Sequence, residues 1–277
     1  MKAKKILILF FIALPVLIFG RFIQLFSLID PTTGFFLDDQ MQFNTFITAV
    51  LISVPVLFLL LSYFKNDYKK SFSFQSTGSG IVSLLFGFVF LIESAYIAIS
   101  GQLFTLSNEN GYFVFSFQSF LYMLLCIFSA LCFCMQAIGC FSGEKKGRFL
   151  MIFPVIAWIY RLISSFISFS GIANISENII EIFMLCSSLI FLLAQGKVIN
   201  EIDCKKNIRT ATAFGLVSAC LCAVSTFPRY ILLILGRTDL LHEGKIGSIL
   251  DAGLFIYILC FLFSALKKES ESATNPN

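Results

Sequence analysis

Apolar runs of about twenty residues, separated by short polar loops, recur along the whole chain of 277 residues. An α-helix needs a run of about 20 apolar residues to cross the hydrocarbon core of a bilayer. Eight segments meet this requirement: 6–28, 43–64, 81–100, 115–141, 149–170, 177–195, 211–236 and 248–266. Because unpaired backbone groups are costly in lipid, such runs must be helical. The sequence therefore predicts an all-α integral membrane protein with eight transmembrane helices.

The composition excludes several classes of protein. Apolar residues make up 58% of the chain and charged residues only 13%, whereas soluble domains are usually about 45–50% apolar and about 25% charged. A soluble enzyme and a nucleic-acid-binding domain are both inconsistent with these values, so we expect the lipid bilayer as partner and no nucleic acid. The loops, none longer than about 20 residues, leave no room for a folded extramembrane domain.

The basic residues predict the orientation of the chain. Cytoplasmic loops of membrane proteins are enriched in Lys and Arg. If the N-terminus is inside, the inner segments contain fifteen of the 20 basic residues: Lys2, Lys4, Lys5, Lys65, Lys69, Lys70, Lys145, Lys146, Arg148, Lys197, Lys205, Lys206, Arg209, Lys267 and Lys268. We therefore expect a multi-pass protein of the plasma membrane with both termini cytoplasmic and a disordered tail over residues 267–277.

Similar segments in the two halves of the chain predict an internal repeat. Residues 122–131 align without gaps on 257–266, and six of the ten positions are identical. Asp67 corresponds to Asp203 at nearly the same offset. Four helices per unit make the repeat parallel, as between the halves of some transporters. We predict one membrane domain, with a first four-helix repeat over 1–148 and a second over 149–266.

Ionisable residues within the predicted spans are the candidates for a functional site. There are six of them: Arg21, Glu93, Arg161, Glu181, Arg229 and Asp251. A charged group at the bilayer centre costs at least about 2.5–3.5 kcal/mol, and it usually faces a partner or a cavity. At about 1.5 Å per residue, all six fall in the outer half of the membrane. The repeat places Glu93 and Arg229 at equivalent positions.

Two interpretations of these charges remain open. In the functional one, they line an outward-facing polar cavity, where the arginines bind a carboxylate or phosphate and the acids bind protons or pair with the arginines. In the structural one, Arg229, Asp251 and Arg21 extend to the outer interface, while Glu93 and Arg161 form a buried pair that fixes helix register.

Motifs of soluble enzymes are absent from the sequence. It contains no phosphate-binding loop and no zinc-protease motif, and its single histidine, His242, is expected to be solvated. The nine cysteines are interpreted as small apolar residues for helix packing, without a structural disulfide. We therefore assign no catalytic residue, cofactor or metal site, and enzymatic activity is the less favoured alternative.

Three segments carry a family resemblance. The stretches 154–161, 172–177 and 228–230 read PVIAWIYR, IANISE and PRY. Over roughly residues 149–236 the chain resembles an uncharacterised family of multi-spanning membrane proteins from Gram-positive bacteria. The resemblance implies a bacterial plasma membrane and no particular activity.

Three functions are consistent with these features. The first is a transporter or permease-like protein for a small solute, with an anion as a candidate, because of the repeat and the charges in the outer half. The second is an accessory or sensory subunit that packs against a membrane partner or a second copy, because the loops are short. The third is a membrane enzyme acting on lipid or cell-wall intermediates.

Overall fold

The computed structural model describes residues 3–28, 41–65, 77–100, 103–106, 113–143, 148–168, 175–237 and 249–274. Lys69, Lys70, Lys145, Lys146 and His242, which the sequence placed in loops, lie outside these ranges. The described residues form eight α-helices: α1 (Ala3–Ser27), α2 (Met41–Lys65), α3 (Thr77–Ile99), α4 (Phe117–Ser142), α5 (Ile152–Ser168), α6 (Ile175–Ile199), α7 (Cys204–Ile234) and α8 (Ile249–Thr274).

Seven of these helices, α1 to α7, are long and apolar enough to cross a membrane. The described apolar part of α8, 249–264, is shorter. A multi-pass membrane protein is therefore confirmed, and the eighth span stays a prediction. The helix α8 continues to Thr274, so it includes most of the segment that the sequence placed in a disordered tail.

Two short strands accompany the helices and were not predicted. β1 (Phe104–Leu106) and β2 (Phe113–Phe115) pair antiparallel between α3 and α4, with Phe104 opposite Phe115. Aromatic and β-branched residues favour strands, and each strand contains them. The hairpin ends at the N-terminus of α4, where the Ser116 side chain accepts a hydrogen bond from the Ser119 backbone N–H and caps the helix.

Consecutive helices run in opposite directions. In α1 and α2, for example, Phe10 packs on Phe58 with 5.6 Å between ring centroids, while Gln24, later in α1, donates to Thr48, earlier in α2. The same order is seen in each pair from α3–α4 to α7–α8, through contacts Ser79–Cys140 and Phe90–Phe133, Cys132–Met151 and Tyr122–Tyr160, Met151–Gly196 and Ser165–Glu181, Ser188–Ser218 and Gly215–Phe191, and Phe227–Phe255 and Gly215–Ile258. The directions of α1 and α2 relative to these helices follow from α7, because Arg209 near its start lies at Tyr63 of α2 and Arg237 just after its end lies at Phe26 of α1.

Alternating directions bring the start of α1 and the end of α8 to one end of the bundle. The rings of Phe11 and Phe263 stack there, 5.8 Å apart. We call this end of the bundle the proximal end. The opposite end, where α1, α3, α5 and α7 finish, is called the distal end. The contacts do not by themselves show the four-plus-four repeat, which stays a prediction.

The helix α7 is the most buried of the seven. Within its most apolar window 67% of the residues are buried, and it packs against α1, α2, α6 and α8. Its sequence explains this position, because Ala, Gly, Ser and Cys dominate residues 211–226 and small side chains allow helices to approach closely in membranes. The helix begins at Cys204, seven residues before the predicted span 211–236. In its second turn, the Cζ atom of Arg209 lies 4.5 Å from the centroid of the Tyr63 ring of α2.

Candidate functional site

A salt bridge between α5 and α8 is the centre of the candidate site. The Arg161 guanidinium donates from Nη1 to Oδ1 of Asp251 at 2.8 Å and from Nη2 to Oδ2 at 3.1 Å. The two side chains are only 13% and 7% exposed. Paired N–H···O bonds of this kind are both stronger and more directional than a single one, so Asp251 occupies one edge of the guanidinium.

A third charged residue, Glu93 of α3, completes the group that we call the charged cluster: Glu93, Arg161 and Asp251. Glu93 is partly buried, and the charges that act on it are those of Arg161 and Asp251. Glu93 makes no hydrogen bond or ion pair with any residue that the structure describes. The charged cluster therefore contains two carboxylates and one guanidinium, and only one of the carboxylates is paired.

Aromatic side chains surround the charged cluster. The Arg161 Cζ atom lies 5.0 Å from the centroid of the Trp158 ring, since residues three apart share a helix face. On α4, the Tyr122 ring stacks on Tyr160 at 5.2 Å between centroids. The Tyr160 hydroxyl donates to the Gln118 carbonyl oxygen at 2.9 Å, and this bond further joins α5 to α4.

Two buried polar atoms beside the charged cluster lack hydrogen-bond partners. They are the Tyr122 hydroxyl and the Trp158 Nε1, neither of which meets an oxygen or nitrogen partner among the described residues. Tyr122 lies within electrostatic range of both Arg161 and Glu93, and next to the weakly polar Cys126 thiol. Buried polar groups in proteins are nearly always hydrogen-bonded, so two exceptions at one place mark this region as polar and incompletely satisfied.

The charged cluster lies near the distal end of the bundle. Glu93 and Arg161 are six and seven residues before the ends of α3 and α5, and Asp251 is two residues after the start of α8. At about 1.5 Å per residue, these positions are roughly 3–10 Å from the helix ends. The sequence predicted all six charges in one half of the membrane, and the helix directions bring them to the same end of the bundle.

The remaining three predicted residues do not join the charged cluster. Arg21 is 3% exposed and donates to Oε1 of Gln24, which in turn donates to Oδ1 of Asn44 and, at 2.9 Å, to Oγ1 of Thr48. This network connects α1 to α2 and holds Arg21 inside the bundle, whereas the structural interpretation placed it at the outer interface. A buried side chain with polar partners does not need to reach the interface.

Glu181 and Arg229 occupy other positions at the distal end. Glu181 accepts a hydrogen bond from the Ser165 hydroxyl at 3.3 Å, which joins α6 to α5. Arg229 is partly exposed, and its neighbour Tyr230 lies within electrostatic range of Asp251 and Glu93. The predicted buried pair of Glu93 with Arg161 is likewise replaced, because the salt bridge of Arg161 is made with Asp251.

A second polar group lies deeper in the core and was not predicted. The fully buried Tyr257 hydroxyl accepts hydrogen bonds from Nε2 of Gln195 and, at 3.1 Å, from Nε2 of Gln136. These residues connect α8 to α6 and α4. Amides within apolar runs are the sequence signal of Gln24, Gln136 and Gln195, whereas the predicted site contained only ionisable side chains.

Known proteins provide no further guidance: no family model, no curated protein and no solved structure matches this chain.

Proposed function

We propose that this protein is a transporter-like carrier of the bacterial plasma membrane, with eight spans and both termini inside, which binds a small solute at the charged cluster. The observation that carries the proposal is that the cluster contains two carboxylates but only one guanidinium. Its residues come from α3, α5 and α8, so helices from both halves of the chain meet at one polar point inside an apolar bundle. Intramembrane charges of this kind commonly mark solute or ion pathways.

The charge balance decides which sign of ligand fits. One guanidinium and two carboxylates sum to a net charge of −1 when all three are ionised. Both Nη atoms of Arg161 donate to Asp251, so this carboxylate already neutralises the guanidinium, and an anionic solute would add a further negative charge beside Glu93. A positively charged ligand instead neutralises Glu93 without breaking any bond. The geometry thus favours a cation at this site over the anion that the sequence suggested, with the solute bound alongside it.

A second function, an accessory membrane subunit, is supported by a different observation. The Arg161–Asp251 pair and the network of Arg21 are satisfied within the chain, as expected of groups that fix helix register. Under this alternative the protein acts by packing against a membrane partner or a second copy. A complex of larger mass than the single chain in mild detergent, combined with no transport current, would support it.

The carrier can be tested with purified protein in liposomes on a solid-supported membrane. The buffer is exchanged for one that contains a representative amino acid, carboxylate, phosphate or amine. The transient current that follows each exchange is measured. The proposal predicts a saturable current with at least one class of solute. The apparent affinity should fall at least about tenfold, equivalent to about 1.4 kcal/mol, in Arg161→Gln.

The matched control is Glu181→Gln. It removes an intramembrane charge at the same end of the bundle, outside the charged cluster, while the amide oxygen still accepts from Ser165. We expect this variant to keep the wild-type current. The proposal would be contradicted if no class of solute gave a saturable current. Equal currents in wild type and Arg161→Gln would also contradict it.

A further inference from the structure

Glu93 differs from Asp251, Glu181 and Arg21 because its carboxylate has no hydrogen bond or ion pair with any residue that the structure describes. Asp251 has two N–H donors from Arg161, Glu181 has the Ser165 hydroxyl, and Arg21 has Gln24. Glu93 has no such donor among the described residues. An unpaired carboxylate in an apolar environment is costly, and the usual remedy is to bind a proton.

The titratable and charged groups within electrostatic range of Glu93 come from four other helices. They are Tyr122 and Cys126 of α4, Arg161 of α5, Tyr230 of α7 and Asp251 of α8. Among them only Arg161 is cationic, and its guanidinium is committed to Asp251. The buried Tyr122 hydroxyl has no oxygen or nitrogen partner among the described residues, so it is suited to exchange a hydrogen bond with a carboxyl group in either protonation state.

A metal ion does not fit this arrangement. Calcium takes six to eight oxygen ligands, and magnesium requires a near-ideal octahedron. The charged cluster offers one unpaired carboxylate, and the described part of the chain contains no group of three or more His, Cys, Asp or Glu that could hold a metal. A proton requires only one carboxylate oxygen.

We infer that Glu93 is a proton-binding site, and that the proton is the cation of the charged cluster. With the proton on a Glu93 oxygen, the cluster is neutral and Arg161 stays with Asp251. When the proton leaves to water, the cluster becomes −1 and the guanidinium is shared between two carboxylates. The protonation state of Glu93 thereby changes how firmly α3, α5 and α8 are held together at the distal end.

The role of this proton as a coupling ion rests on the carrier function proposed above, but the site itself can be tested without transport. The test is infrared spectroscopy of the full chain in liposomes at neutral pH. A protonated carboxyl group in an apolar environment has a C=O stretch separate from that of carboxylates, and this band shifts in heavy water. We expect such a band in wild type, its loss in Glu93→Gln, and its retention in the control Glu181→Gln.

Glu93→Asp keeps the test informative if the amide variant does not fold, because the band should then shift in frequency instead of disappearing. A wild-type spectrum without the band at neutral pH, or a band unchanged in both Glu93 variants, would overturn the inference. Loss of the wild-type band on adding Na⁺ or tetramethylammonium would also overturn it, since another cation would then occupy the site. A band without any transport current would refute the carrier alone.

Discussion

Replacing the three members of the charged cluster one at a time should destabilise the protein in a definite order. The structure gives the order because the replacements differ in which charged side chains lose a partner. In Arg161→Met, Asp251 loses its salt-bridge partner, and Glu93 loses the one cation that acts on it among the described residues. In Asp251→Asn, the Arg161 guanidinium still has the Glu93 carboxylate within electrostatic range. In Glu93→Gln, no hydrogen bond or ion pair with a described residue is broken.

The magnitudes follow from the burial and the geometry of the pair. Removing one partner of a buried ion pair typically costs about 3–5 kcal/mol, and the side chains here are 13% and 7% exposed. We therefore expect a loss of about 3–4 kcal/mol for Arg161→Met. For Asp251→Asn we expect about 1–2 kcal/mol, because one neutral acceptor remains for the guanidinium. For Glu93→Gln the change should stay within about 0.5 kcal/mol.

The assay is reversible unfolding in mixed micelles with increasing SDS, with helix content as the readout. The double variant Arg161→Met with Asp251→Asn completes a thermodynamic cycle with the two single variants, and the coupling energy should reach about 1.5–2 kcal/mol, near the upper limit measured for interhelical polar pairs. A coupling below about 0.5 kcal/mol, or Arg161→Met less destabilising than Asp251→Asn, would refute the reasoning. A low coupling energy would mean that the Arg161–Asp251 pair contributes nothing net to stability. A reversed order would mean that the charges of the cluster are balanced differently from the description above.

Three further predictions concern the rest of the bundle. Gly253→Ala places a methyl group 3.1 Å from Phe86 and Val89 of α3 and should cost about 1–3 kcal/mol, whereas Gly20→Ala meets nothing within 4 Å and should be neutral, as measured in the same unfolding assay. Tyr257→Phe leaves the amides of the buried Gln195 and the partly buried Gln136 without their common acceptor and should cost about 1–3 kcal/mol. All nine cysteines are free thiols, so mass spectrometry after maleimide treatment in lipid should show no disulfide-linked peptides. Labelling should be slowest at the four buried cysteines, Cys126, Cys132, Cys220 and Cys222.

The helices could be predicted from the sequence because lipid imposes a minimum length on every spanning segment. Their boundaries were less accurate where a polar turn continues a helix beyond the membrane. Lys205, Lys206 and Arg209 belong to α7, although hydropathy excludes them from the apolar run. The hairpin of β1 and β2 was missed because three-residue strands are too short for a search based on apolar runs. The aromatic and β-branched residues flanking Asn110 and Gly111 are the local signal that could have found it.

The candidate site could be predicted only as a set of separate charges. Each intramembrane charge is visible in the sequence, and so is its depth, because depth depends only on distance along its own helix. Pairing depends on which helices are neighbours. Arg161 and Asp251 are 90 positions apart, and nothing in the sequence indicates that α5 and α8 meet. The repeat instead drew attention to Glu93 and Arg229, whereas the structure joins Glu93 to Arg161 and Asp251.

The central claim, that the charged cluster couples a proton to a solute, is tested most directly by proton flux. Proteoliposomes loaded with a pH-sensitive dye receive, in turn, each class of solute used for the current measurements. The account predicts a change of internal pH that accompanies at least one solute in wild type and Glu181→Gln, and that is lost in Glu93→Gln. Solute movement without a pH change, no pH change with any class of solute, or an undiminished pH change in Glu93→Gln would contradict it.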